Sequence, residues 1–120
     1  DGEVRFILGH CREVLFERAT TRVSLADVAQ AAAVSPFHLA RLFRRHTGFT
    51  VHRYLTQLRL RRSLDFLAAP DVDIATLALE LGFSSHSHFT DAFRTAFGVT
   101  PSAFRRGATD RIDLSKILTV

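Results

Sequence analysis

Apolar residues recur every three or four positions along most of this chain. Val4, Ile7, Leu8, Cys11 and Leu15 form one such stripe and predict an amphipathic helix over about 3–20. Thr20, Thr21 and Ser24 then offer turn and cap chemistry ahead of Leu25, Val28, Ala29 and Ala32, a shorter helix. Ser35-Pro36 reads as an N-cap followed by proline at the first helical position, where a missing N–H costs nothing. The helix it opens turns Leu39, Leu42 and Phe43 inward and stops at Gly48. Thr50 caps a longer helix over about 51–68, ~27 Å at 1.5 Å per residue, which Pro70 closes. Asp73 precedes Ile74, Leu77, Ala78 and Leu81; Gly82 then makes a turn, and Ser84-Ser85 caps a helix with Phe89, Ala92, Phe93 and Phe97 inward. Gly98 stops that helix, and Thr100-Pro101 opens a last short one through Phe104. No segment sustains period-two alternation, so the expected fold is all-α with about seven helices.

The second half of this pattern restates the first. Leu25, Val28 and Ala29 recur as Ile74, Leu77 and Ala78 at an offset of 49. Ser35, Phe43, Gly48, Thr50 and Tyr54 recur as Ser85, Phe93, Gly98, Thr100 and Phe104 at an offset of 50. One residue has therefore been added in the second copy's turn. Each copy reads short helix, tight turn, cap, helix, stop, which is the outline of a helix-turn-helix.

Composition alters this picture mainly through charge. The chain has 120 residues and a net charge of +4, with the excess concentrated in one third of the length. Residues 1–27 sum to −1 and residues 65–120 to −2, whereas 28–64 carry seven arginines, no acid and a net of +7. Without local carboxylate partners, those arginines favour an external polyanion over a merely solvated face. A hydrophobic fraction of 47% argues against wholesale disorder, and no apolar run is long enough for a membrane span. The single cysteine, Cys11, excludes an internal disulfide and fits a reducing compartment. With no methionine even at position 1, the expectation is a processed chain or a piece of a longer one.

The same residues, taken together, resemble the AraC/XylS-type transcriptional regulators. Ser35-Pro36-Phe37-His38-Leu39-Ala40-Arg41-Leu42-Phe43 with Thr47-Gly48 is similar to the first half of that family's signature. Tyr54-Leu55, Arg59-Leu60, Ile74-Ala75, Ala78, Leu81-Gly82-Phe83-Ser84, Ser87, Phe89, Phe93, Phe97-Gly98, Thr100-Pro101 and Phe104-Arg105 resemble the rest. The resemblance covers about residues 4–107. It implies two homeodomain-like helix-turn-helix subdomains, about 25–47 and 74–97, joined by the linker helix over about 51–68. It also implies recognition helices, about 36–47 and 86–97, that enter adjacent major-groove segments on one face of double-stranded DNA. Two such contacts lie about 34 Å apart, one turn of the duplex. A linker helix of ~27 Å plus the width of its neighbours can span that distance.

By the resemblance, Phe37, Ala40 and Arg41 occupy the positions that face base edges. Arg41 is the best candidate for direct readout, since a guanidinium bonds bidentately to guanine O6 and N7. Phe37 either rests on a thymine methyl or belongs to the core. His38, Arg44, Arg45 and Arg53, with the cap residues Ser35 and Thr50, are candidates for phosphate contact and positioning. In the second helix His86, Ser87, Thr90 and Asp91 are candidates for base readout, and Ser85, His88, Arg94 and Thr100 for positioning. Asp91 departs from the basic or neutral residue of relatives; it repels phosphate but can accept from cytosine N4. With Arg94 as its only fixed positive charge, the second unit is expected to be the weaker contact. Arg59 matches a family arginine that bridges to carboxylates in the bundle, for which Asp65 and Glu80 are available.

No enzyme is expected. His86 and His88 point away from each other on a helix, no cysteine or carboxylate stands at ligand spacing, and no metal or cofactor is implied. His10 and Cys11 diverge as adjacent helix positions, and no glycine-rich phosphate loop is present. The rival reading is a regulatory protein–protein interaction module with a degenerate helix-turn-helix, which the +7 segment opposes and Asp91 and Ala40 favour. RNA polymerase and a separate effector-binding or dimerisation domain, upstream of this chain, are the further partners the resemblance implies. The expected location is cytoplasmic, at the nucleoid. The tail 108–120 carries Ile112, Leu114, Ile117 and Leu118 beyond the last family position, with no role assigned.

Overall fold

The computed structural model describes residues 2–19, 21 and 23–107. Thr20 and the 108–120 tail, both included in the sequence expectations, lie outside the described residues. Among the described residues seven helices follow one another: α1 Gly2–Glu17, α2 Leu25–Ala31, α3 Pro36–Thr47, α4 Val51–Leu67, α5 Ile74–Glu80, α6 His86–Phe97 and α7 Pro101–Arg105. No strand occurs among the described residues. The chain divides into two compact units, the first running to Thr56 and the second beginning at Gln57, so the long helix α4 is shared between them.

Helices α2 to α7 each start where a side chain can satisfy an orphan N–H. Ser24 accepts from the Asp27 N–H while Asp27 accepts in return from the Ser24 N–H, a reciprocal capping box. Ser35, Thr50, Asp73, Ser85 and Thr100 cap α3 to α7 in the same sense, each accepting from a backbone N–H three residues on. α1 ends at Glu17 rather than near residue 20, with the Thr21 hydroxyl donating to the Arg18 carbonyl in the turn beyond. α4 ends three residues before Pro70, as the steric restriction ahead of proline requires.

In the first unit, Ile7, Leu8, Cys11 and Leu15 of α1 are buried, as are Val28 and Ala29 of α2 and Leu39 and Phe43 of α3. Phe43 meets Tyr54 of α4 edge-on, ring centroids 5.2 Å apart. Leu42, expected inside, is only half-buried. In the second unit, Phe83, Phe89, Phe93 and Phe97 form a chain of ring contacts at 4.5–5.8 Å, with Phe104 6.0 Å from Phe93. Leu60, Leu67, Leu77 and Leu81 complete that core. Fully burying each such ring or leucine contributes about 1.5–3 kcal/mol.

The repeat reaches further than the sequence reading took it. Ile7, Leu8, Cys11 and Leu15 match Arg59, Leu60, Ser63 and Leu67 at an offset of 52, and all eight are buried. Each unit is thus a supporting helix followed by a helix-turn-helix, with α1 and the second part of α4 in corresponding roles. The turns can also be aligned atom by atom. Val34 donates its N–H to the Ala29 carbonyl and Phe83 donates to Ala78, both at 3.0 Å. Ala33, at φ +56°, therefore stands where Gly82 stands at φ +94°. The residue added in the second turn is Ser84.

Candidate nucleic-acid interface

The cap and stop residues fix which faces of α3 and α6 remain outside. Ser35 at one end and Gly48, at φ +80°, at the other confine α3 to twelve residues. With Leu39 and Phe43 buried, the opposite side presents Phe37, His38, Arg41, Arg44 and Arg45, all exposed, with Ala40 half-buried between them. Phe37 is 71% exposed, which removes the core alternative for this ring. The Arg41 guanidinium lies over it, Cζ 5.7 Å from the ring centroid. This pair is one helical turn apart, and an aromatic face attracts the cation at that range. At this exposed site the attraction is worth about 0.5–1 kcal/mol and favours an Arg41 lying along the ring. A recess of about 600 Å³ borders this face, lined by Phe37, Ala40, Arg41, Arg44 and their neighbours.

Arg53, in the first turn of α4, is arranged in the same way, its Cζ 5.0 Å from the Phe49 centroid. Thr50 is committed as the cap, accepting from the Arg53 N–H at 3.0 Å. Its hydroxyl hydrogen, like those of the capping Ser35, Ser85 and Thr100, is still available to donate outward.

Helix α6 has the same frame and different chemistry. Ser85 caps it and Gly98, at φ +81°, ends it. His86, Ser87, His88, Asp91 and Arg94 are exposed and Thr90 is half-buried. Asp91 and Arg94 pair with each other at 3.4 Å, one turn apart and both well exposed. Such a pair adds little stability, about 0–1 kcal/mol. Its electrostatic effect is larger: α3 shows three fixed positive charges and no acid, while the two fixed charges of α6 cancel. The His88 ring is held between Ser84 and Phe83.

Arg59 is buried, and its guanidinium packs against Gly82, where a Cβ would lie 2.8 Å from Cζ. Burial pushes its pKa below the usual arginine value, and a side chain so covered belongs to the packing of this unit. The i,i+3 and i,i+4 spacings that signal the Asp91–Arg94 and Phe37–Arg41 pairs are present in the sequence, though they gain meaning only once the helix registers are fixed. Cys11 is buried and burial raises its thiol pKa, consistent with a small core residue. Among the described residues, no group of three or more His, Cys, Asp or Glu is placed to hold a metal ion. No helix of the described residues is long and apolar enough to cross a membrane.

A family model described as a helix-turn-helix domain matches residues 28–107. The transcriptional regulator GlxA of Rhizobium meliloti is 38% identical over 94 residues, covering 78% of this chain and 28% of GlxA. A solved transcriptional regulator with an AraC-type DNA-binding domain from Chromobacterium violaceum is 28% identical, with a TM-score of 0.79 over 88% of this chain and 95% of that one. The DNA-binding domain of the global transcriptional factor AdpA, solved with a target DNA, has the same fold. Its TM-score is 0.76 and its identity 24%, over 87% of this chain and 94% of its own. The chain spans about a third of the length of the first curated relatives it matches, between 27% and 36%. Its repeated helix-turn-helix frame and its match over two thirds of the residues establish that this chain belongs to the AraC/XylS-type family of transcriptional regulators, as a DNA-binding domain.

Proposed function

We propose that this domain reads duplex DNA in two successive major-groove segments, through the outer faces of α3 and α6, and that α3 supplies the stronger grip. The observation that carries the reading is the outer face of α3: an exposed Phe37, an Arg41 braced over its ring, and Arg44 and Arg45 beside them with no acid. Arg41 is assigned to a guanine and Phe37 to a thymine methyl, with Ala40 leaving room for the base edge. Arg44, Arg45, Arg53, His38, Ser35 and Thr50 are assigned to the phosphate backbone, which orients without specifying sequence. On α6, His86, Ser87, Thr90 and Asp91 face bases, while Ser85, His88, Arg94 and Thr100 face the backbone. The complex of AdpA's DNA-binding domain with a target DNA supports this use of the fold. In the whole protein the domain would serve an effector-binding or dimerisation domain and RNA polymerase.

The test is enrichment of bound duplexes from a random pool, followed by titration on the enriched site across salt concentrations. Four phosphate contacts give a log–log slope near −3.6, roughly 0.9 per contact. Arg41→Ala should cost ~1–3 kcal/mol on that site and relax preference at one base pair. Arg44→Ala and Arg45→Ala should weaken binding to every duplex alike. Equal losses for Arg41→Ala on all duplexes would reassign Arg41 to phosphate, and a flat salt response would refute the reading.

A further inference from the structure

The turn of the second helix-turn-helix is one residue longer than that of the first, and that residue, Ser84, acts on His88. Its backbone N–H donates to His88 Nδ1 at 3.4 Å, and its hydroxyl lies 3.0 Å from the same nitrogen. A backbone N–H can only donate. That contact suits Nδ1 as the acceptor, which places a ring hydrogen on Nε2, while the hydroxyl can donate to the same nitrogen. The buried Phe83 stands edge-on to the imidazole, centroids 5.3 Å apart, and fixes its plane. The first unit has no equivalent: Val34 precedes the cap Ser35, offers no hydroxyl, and gives its N–H to the Ala29 carbonyl. His38 and His88 share a register and meet different surroundings.

We propose that His88 is a pre-oriented Nε2–H donor to a DNA phosphate, its ring set by the residue added in the second turn. The inference rests on the DNA-reading assignment above and adds the chemistry of one contact. A histidine beside a phosphate is ordinarily drawn toward its charged form. A neutral donor to a charged oxygen still makes a strong hydrogen bond, yet it neutralises no phosphate and releases no counterion. Because Asp91 also cancels Arg94, the second unit holds the backbone with uncharged groups where the first uses arginines.

The experiment uses the full 120-residue chain and the enriched duplex. Affinity is measured across salt at about pH 7.5, above the ordinary histidine value near 6.5. His88→Ala should weaken binding about tenfold at every salt concentration, with the slope unchanged. His88→Gln, whose amide reaches the Nε2 position, should recover most of the loss, and Ser84→Ala should lose about two- to threefold. A two-bond 15N–1H correlation spectrum of the wild type should show the Nε2–H tautomer, a readout that depends on no variant folding. Any of four results overturns the proposal: a slope shallower by about 0.9 in His88→Ala, no loss in that variant, a His88→Gln variant as weak as His88→Ala, or an Nδ1–H tautomer. If the wild type binds no duplex at all, the DNA-reading assignment falls with it; if binding is intact and the tautomer is wrong, this inference falls alone.

Discussion

Replacing Gly82 with alanine isolates the contact that sets the second helix-turn-helix turn. Two costs add. The backbone sits at φ +94°, where an L side chain is strained by roughly 1–2 kcal/mol. The new Cβ would also lie 2.8 Å from Arg59 Cζ, 2.8 Å from Nη2 and 2.9 Å from Nε. Carbon prefers about 3.5–4.0 Å, so the guanidinium must retreat by more than half an ångström. Arg59 is only 7% exposed, and forcing a group aside in packed surroundings costs about 1–3 kcal/mol. The expected total is roughly 2–5 kcal/mol, a large share of a typical domain stability of 5–15 kcal/mol. Urea unfolding followed by circular dichroism measures it, in a double-mutant cycle with Arg59→Met, which keeps the stem and removes the guanidinium. The steric part, about 1–3 kcal/mol, should appear as coupling, because in the double variant only the backbone strain remains. Ala33→Gly is the control: the corresponding turn residue already tolerates φ +56°, and relief of strain offsets the added chain entropy to within about 0.5 kcal/mol. A Gly82→Ala change under about 0.5 kcal/mol, or full additivity with Arg59→Met, would refute the steric argument.

Two further outcomes follow from α6 and from the cap of α5. Asp91→Ala removes a charge that repels phosphate and releases Arg94, so duplex binding should tighten several-fold and its salt slope steepen by about 0.9; weaker binding on every duplex would contradict the pairing as read. Asp73 accepts from the Thr76 hydroxyl and N–H, which holds its carboxyl below the usual range, so its stabilisation is present above the unfolded value of about 3.9 and is lost as pH falls through the lower folded value. Asp73→Ala should therefore melt lower than the wild type near neutrality, with the gap narrowing below about pH 4; a gap that stays constant into acid would show that the carboxylate is not its source.

The seven helices were legible because their signals are local. A cap such as Ser35 or Asp73, a stop such as Gly48 or Gly98, and a stripe such as Phe89-Phe93-Phe97 are each decided within one or two turns of helix. The repeat was legible in the caps, and it went unseen in the supporting helices for a physical reason. Cys11 matches Ser63 and Ile7 matches Arg59, so the shared property is burial and not residue type. Arg59 shows the limit most plainly. Its burial and its packing against Gly82 depend on a turn conformation that no periodicity encodes. The left-handed Ala33 was hidden likewise, since alanine gives no sign of positive φ.

At the candidate site, sequence supplied the residues and structure supplied their couplings. Arg41, Arg44 and Arg45 on one side of α3 follow from helical spacing alone; that Arg41 is braced on Phe37 does not. The expectation of a weaker second contact rested on Asp91 and on Arg94 as that helix's only fixed positive charge. The Asp91–Arg94 pair bears on the same point, because the adjacent acid offsets the one fixed cation the second helix offers to the backbone. Uncharged donors then carry a larger share of that helix's hold on the backbone, and losing one of them should register in affinity without registering in the salt slope. The two copies of one motif thus diverge in how they would hold a polyanion: one by charge, whose strength falls as salt rises, and one by placed hydrogen bonds, whose strength does not. Raising salt should therefore weaken the contacts of α3 before those of α6, so that base preference attributable to α6 persists on the enriched duplex after preference attributable to Arg41 has faded.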